Sequence, residues 1–168
     1  MKKDFSKIKL FAMDVDGTLT DGKIYIGNDG EVMKAFNAKD GLGIKLLIKK
    51  GIIPIIITGR RSKIVTRRCE EIGITVLYQG VRDKADILKT VMAKYDCTPE
   101  QTVYIGDDMN DLSAMQTAGI TFAPADCAAA LRPYVGFVLT QKSGDAPVRE
   151  AIDIILENRL TLSDYESI

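Results

Sequence analysis

Short runs of apolar, mostly β-branched residues recur along the chain: IKLFAM (8–13), IIPIIIT (52–58), TVLYQG (75–80), TVYIG (102–106), ITFAP (120–124) and FVLT (137–140). Each run is continuous rather than alternating, the pattern of a strand covered on both faces. Between them lie segments with helical spacing, 41–50, 62–72, 84–95, 110–118 and 148–158, several closing near glycine or asparagine. Strands that alternate with helices leave few packing solutions, and the expected class is α/β, a parallel sheet with helices on both faces. At 168 residues one such assembly accounts for the chain, so a single domain, 1–168, with one active site is expected.

One stretch breaks this rhythm. KIYIGNDGEVMKAFN (23–37) reads as two strands about the turn GNDG, a β-hairpin inserted after the first strand of an otherwise Rossmann-like framework. Its Ile24, Ile26, Val32, Met33 and Phe36 exceed what a solvated hairpin needs, which leaves two readings, an edge ornament or a subunit contact.

Charge excludes several classes of function. With 23 basic and 23 acidic side chains the chain has no electrostatic footprint for nucleic acid or an anionic membrane. Acids interrupt the apolar run near the N-terminus before a signal-peptide core could form, and no later run approaches membrane-spanning length, so a cytoplasmic protein is expected. Cys69, Cys97 and Cys127 lack paired spacing and read as reduced packing residues. Histidine is absent, so carboxylates must supply any general base or metal ligand.

The acids that could do so follow strands. In DVDGT (14–18), Asp14 and Asp16 stand two apart after the first run, and side chains two apart on a strand point the same way, toward one small volume. That end of an open α/β sheet faces the ligand crevice. Two acids so close repel unless one protonates or a hard cation such as Mg²⁺ neutralises them; either could instead cap a turn with Gly17. A second cluster, VYIGDDMND, supplies Asp107, Asp108 and Asp111 after another strand. Asp107, first after the strand, is the favoured metal ligand, Asp108 an orienting residue, and Asp111 either a support or a helix cap. IIPIIIT ends in Thr58 and Gly59 before Arg60 and Arg61, where a hydroxyl and backbone amides beside a helix start make a phosphate cradle or a plain strand exit. Lys84 follows the third run and alone would read as a solvated lysine. The set as a whole is far more specific than any member.

This set resembles the haloacid dehalogenase superfamily of phosphohydrolases, whose four motifs match DVDGT (14–18), Thr58, Lys84 and GDDMND (106–111) in order and spacing. The resemblance implies that Asp14 is the nucleophile and that Asp16 protonates the leaving alkoxide and later deprotonates water. It also implies Mg²⁺ on Asp14, the backbone carbonyl of Asp16 and Asp107, with Thr58 and Lys84 on the transferring phosphoryl oxygens. Members usually carry a cap domain in one of two gaps. Here Asp16 to Thr58 holds only the hairpin and a helix, and Lys84 to Asp107 one helix and one strand, so no cap domain is expected.

The capless branch with such a hairpin is that of the 3-deoxy-D-manno-octulosonate 8-phosphate phosphatases, tetramers whose neighbours help cover each site. FNAKDGLGIK (36–45), ITGRRSKIVTRRCEEIGI (57–74), LYQG (77–80) and VREAIDIIL (148–156) carry the similarity. It implies a homotetramer built through the hairpin, a small phosphorylated sugar acid as substrate, and a step in making lipopolysaccharide. Asn37, Lys39, Asp40, Gly41, Lys45, Gly59, Arg60, Arg68 and Asn110 fall where the branch contacts substrate, although Arg67 and Arg68 also fit a solvated helix face. Arginine is common in the branch where Lys39 and Lys45 stand, which keeps charge and loses the planar fork. KSGDAPVRE (142–150) replaces a glycine-richer loop, and the tail (159–168) ends much as tails that reach a neighbouring site. A phosphatase for a nine-carbon sugar acid 9-phosphate (KDN or sialate) shares this chemistry, but that branch tends to carry an acid in place of Arg60. A Mg²⁺-binding phosphoacceptor signalling domain gathers similar groups in another order, and a non-catalytic module would have lost a catalytic acid.

Overall fold

The protein is described by a computed structural model over residues 4–157 and 159–166. Its main sheet is parallel and six-stranded. In chain order the elements are β1 (Leu10–Met13), a hairpin of β2 (Tyr25–Gly27) and β3 (Gly30–Met33), α1 (Ala38–Lys49), β4 (Ile53–Thr58), α2 (Lys63–Ile72), β5 (Val76–Gln79), α3 (Lys84–Lys94), β6 (Thr102–Ile105), α4 (Leu112–Thr117), β7 (Ile120–Ala123), β8 (Phe137–Val138) and α5 (Pro147–Ile155). The sheet order is β5-β4-β1-β6-β7-β8. Among the described residues no cap domain interrupts it.

The continuous apolar runs are explained by two cores. Phe11, Met13, Ile56, Val103, Ile105 and Phe122 point to the side covered by α1, α2 and α5. Leu10, Ala12, Ile55, Ile57 and Tyr104 point to the side covered by α3 and α4. Burying each large apolar side chain contributes about 1.5–3 kcal/mol, so a central strand exposed on neither face is most strongly held.

β1 lies centrally, Met13 facing Ile56 of β4 and Ile105 of β6. The chain winds outward through β4 and β5, then returns to add β6 on the other side of β1. That reversal is where open α/β sheets place their ligands.

Element ends differ from expectation where capping decides them. α1 starts three residues early because the Asn37 side chain accepts the Lys39 amide at 3.0 Å, a cap that overrides the poor helix propensity of Gly41. α4 is preceded by a 3₁₀ turn, Met109–Asp111, instead of beginning at Asn110. α5 starts at Pro147 and stops at Ile155; Asn158, included in the expected helix, lies outside the described residues.

The hairpin forms its own two-stranded sheet and adds no strand to the main one. Its turn is Asn28-Asp29, with Gly30 at φ +111°. Ile26 is 72% exposed, Val32 61% and Met33 50%, whereas Phe36 packs against the core.

The tail folds back on its own chain. Asp164 accepts Lys50 Nζ at 2.8 Å and the Thr161 amide at 2.8 Å, and Lys49 Nζ donates to the Ser163 and Asp164 carbonyls. These contacts sit where α1 leads into β4, the end of the sheet where strands begin. Ser167 and Ile168, part of the expected tail, lie outside the described residues.

Candidate active site

At the other end of the sheet, β1 and β6 release their acids side by side. The Asp14 amide donates to Ile105 O at 3.0 Å, continuing the ladder one step beyond β1. Gly17 then turns the chain at φ +91°, and a Cβ there would lie 2.1 Å from Asp107 Oδ2. Only glycine allows both the turn and that approach.

Carboxylate oxygens of Asp14, Asp107 and Asp111 lie within 4.8 Å of one another. They have different partners. Asp111 is fully buried and already engaged: Oδ1 accepts Lys84 Nζ at 2.6 Å and the Tyr104 hydroxyl at 2.8 Å, and Oδ2 accepts the Asp107 amide at 3.1 Å. Asp14 accepts Lys84 Nζ at 2.9 Å, and among the described residues the Asp107 carboxylate accepts only the Thr18 hydroxyl, at 3.4 Å. Asp111 therefore orients Lys84, which matches a supporting role, while Asp14 and Asp107 keep free lone pairs.

Electrostatics follow from this packing. Burial and the Asp111 charge push Asp14 up to about 6 against the pull of Lys84. Burial and the charges of Asp14 and Asp111 push Asp107 up to about 7. Burial disfavours charged Lys84, but Asp14 and Asp111 outweigh it and raise its pKa. Burial and the same acids raise Tyr104 well above the usual phenol range, so its hydroxyl stays a donor. Two oxygen ligands that repel each other, with spare lone pairs at an open pocket, fit a hard divalent cation.

A stability prediction follows, with the sign fixed by linkage. Asp14, Asp107 and Asp40, the last pushed by burial to about 7, hold protons when folded at pH values where the unfolded chain has released them. No penalty exists below about pH 4, the ordinary carboxylate value; it grows as pH rises and is complete above the folded values. Chelated protein should therefore melt lower at pH 8 than at pH 5, each ~1 kcal/mol moving Tm by about 2–4 °C. Mg²⁺ should restore the portion due to Asp14 and Asp107 and leave the Asp40 portion, which Asp40→Asn removes. A Tm without slope between those pH values in scanning calorimetry would count against these assignments.

Asp16 departs from expectation. β1 ends at Met13, so the two-residue alternation of a strand does not reach Asp16, and the two acids take different partners, Asp14 pairing with Lys84 and Asp16 with Lys34. Asp16 Oδ1 accepts from Lys34, and its Oδ2 lies 3.8 Å from Arg60 Nε. It still shares with Asp107, Asp108, Met109 and Asn110 an open pocket of about 370 Å³. Thr58, buried, ends β4 two residues past the partner of Met13, which brings it and exposed Gly59 and Arg60 to the same end. Asp108 caps the 3₁₀ turn by accepting the Met109 amide at 2.7 Å.

The other expected substrate contacts are spread more widely. Asn37 Nδ2 donates to Gly144 O at 3.1 Å, and both line a neighbouring hollow with Asp21 and Asp145. Lys39 lines a groove with Arg149 and Glu150 that shares Asp145 with the Asn37 hollow, and Lys45 is exposed on α1. Asp40 faces inward, 1% exposed, accepting the Arg149 amide at 2.7 Å. Arg68 lies over the Phe36 ring at 5.7 Å, and a Cβ on Gly41 would come within 2.6 Å of Arg68 Nη2. Sequence reasoning missed Lys34, Glu31, Ser62 and Tyr104. Tyr104 sat inside an apolar run and Lys34 inside a hairpin, so neither had a local signal.

The match to known proteins covers most of the chain. Residues 43–125 match the family model of haloacid dehalogenase-like hydrolases. The 3-deoxy-D-manno-octulosonate 8-phosphate phosphatase of Yersinia pestis is 46% identical over 151 residues, 90% of this chain and 81% of that protein. The cobalt-bound deoxy-D-mannose-octulosonate 8-phosphate phosphatase from Haemophilus influenzae superposes with a TM-score of 0.91 at 36% identity, over 96% of this chain and 98% of that one. The Moraxella catarrhalis phosphatase, solved with magnesium, phosphate and KDO, superposes with a TM-score of 0.88 at 40% identity, over 91% and 88%.

Proposed function

Because the chain belongs to the haloacid dehalogenase-like hydrolases, with octulosonate 8-phosphate phosphatases among its relatives, we propose that it is a Mg²⁺-dependent phosphomonoesterase hydrolysing 3-deoxy-D-manno-octulosonate 8-phosphate. The observation that carries the chemistry is Asp14, held 2.9 Å from Lys84 beside Asp107, which lines an open pocket.

Asp14 attacks phosphorus as the bond to the sugar oxygen breaks, giving an aspartyl phosphate and an alkoxide that takes the Asp16 proton. Asp16 then removes a proton from water, whose oxygen attacks phosphorus and frees Asp14 and inorganic phosphate. Lys84, Thr58 and the Gly59 amide hold the phosphoryl oxygens as charge develops. Asp14, Asp107 and the backbone carbonyl of Asp16 would hold Mg²⁺, which would supply the positive charge that lets a carboxylate approach an anionic ester.

Arg60, exposed at the pocket edge, is the group we assign to the sugar-acid carboxylate, with Asn110, Asn37 and Lys39 as further contacts. Arg68, Asp40, Gly41 and Lys45 are read as shaping the α1 and α2 region behind them. Comparing kcat/KM for eight-carbon and nine-carbon sugar acid phosphates, with and without Mg²⁺, tests the reading. The eight-carbon ester should lead by at least about tenfold, a difference within the reach of a few pocket contacts; preference for the nine-carbon ester would overturn the substrate and keep the phosphatase.

The assembly we propose is a homotetramer of single-domain chains, residues 1–168, acting in the cytoplasm on a lipopolysaccharide precursor. Ile26, Val32 and Met33 form the apolar face of its hairpin contact. Ile26→Glu should lower the mass seen by sedimentation, since a buried charge disfavours the contact; an unchanged mass would remove the hairpin from the interface.

A further inference from the structure

Lys34 has no role in the mechanism above. It follows β3 directly, yet its side chain is only 2% exposed. Its ammonium donates to Asp16 Oδ1 and lies 2.9 Å from Glu31 Oε1. Glu31 accepts the hydroxyl of Ser62, and Ser62 caps α2 by accepting the Val65 amide at 3.3 Å. The hairpin is thereby tied through Glu31 to a helix end and through Lys34 to Asp16.

A buried ammonium persists only when well paired, so Lys34 is held tightly between its two acids. Arg60, the other cation near Asp16, is 48% exposed and 3.8 Å away, an ion pair of the weak surface kind. Lys34 engages Oδ1, while Oδ2 lies nearer the more exposed Arg60, so the two oxygens of Asp16 have different surroundings.

We propose that Lys34, braced by Glu31, is a positioning residue that fixes the orientation of the Asp16 carboxyl toward the departing sugar oxygen. The proposal rests on the reading of Asp16 as the acid. In that step the P–O bond breaks, its electrons stay on the sugar oxygen, and the Asp16 proton converts that oxygen to a hydroxyl.

The test uses leaving groups that differ in their need for that proton. An alkyl phosphate, here the sugar acid phosphate, leaves as a strong base and requires it; p-nitrophenyl phosphate leaves as a stable anion and does not. Lys34→Met should lower kcat/KM for the sugar ester by about 10²-fold or more, the scale of lost general-acid catalysis, and leave the aryl ester nearly unchanged. Lys34→Arg should recover much of the loss. Because kcat/KM stops at the first irreversible step, the later attack by water does not blur the comparison.

Asp16→Asn, measured alongside, separates the two readings. If it lowers both esters alike, Asp16 is not the acid and the proposal falls with that reading. If Asp16→Asn is selective for the sugar ester but Lys34→Met lowers both alike, or raises only KM, Asp16 stands and the role of Lys34 is overturned. Glu31→Gln, which loosens Lys34 without removing it, covers the case of a Lys34→Met protein that does not fold. A smaller loss with the same selectivity supports the proposal, and an equal loss on both esters overturns it.

Discussion

Asp14→Asn protein should fold normally and release phosphate at least about 10³-fold more slowly than the wild type, because removing a nucleophile removes the step that others depend on. The amide has nearly the same shape, but its oxygen is a poor nucleophile toward phosphorus. Stability should hold or rise, since Asp14 is a buried carboxylate raised to about 6 by desolvation and by its neighbour Asp111. Any gain should grow with pH, as the wild-type group is fully charged only above that value. Steady-state phosphate release with thermal melts at pH 5 and pH 8 measures both effects. A folded variant turning over at the wild-type rate would refute the aspartyl-phosphate mechanism.

Lys84→Met should be damaging for a different reason. The Lys84 ammonium is 2% exposed and lies between Asp14 at 2.9 Å and Asp111 at 2.6 Å. Taking away one member of a buried ionic cluster leaves charges without compensation, at a cost of about 3–5 kcal/mol, a large part of a typical domain's stability. The destabilisation should be largest at alkaline pH and shrink as pH falls, because the uncompensated acids then take up protons in the folded state. Adding Asp111→Asn should recover part of the stability by removing one of the stranded charges, and none of the turnover, since the phosphoryl oxygens still lack their cation. Urea denaturation of the single and double variants reads the coupling; an unaltered midpoint in Lys84→Met would contradict the buried cluster.

Much of this site was legible before any coordinates. Asp14 directly follows β1, Thr58 ends β4, Asp107 comes two residues after β6 and Lys84 opens α3, and the alternating pattern places those ends on one side of a parallel sheet. Local reasoning failed where contacts cross the chain. Asp16 was expected to share a strand face with Asp14, but β1 ends at Met13 and its carboxylate meets Lys34, which lies 18 residues away. Asp40 was itself among the expected sugar-contact positions, and its Oδ1 accepts an amide of α5, 109 residues away. Arg68 lies at the helical spacing of a solvated face, yet its guanidinium sits over the Phe36 ring and in the space left by Gly41.

By itself, the sequence determined the layered α/β framework, the lack of room for a cap, and which strand ends carry acids, hydroxyl and lysine. Those properties depend on periodicity and on chain order, both of which are local. Tertiary structure alone decided which carboxylates remain free to bind a cation, why Asp111 is not among them, and what holds Asp16. The reason is that lone pairs and buried charges are satisfied by groups brought together from distant segments, and spacing along the chain carries no record of those encounters.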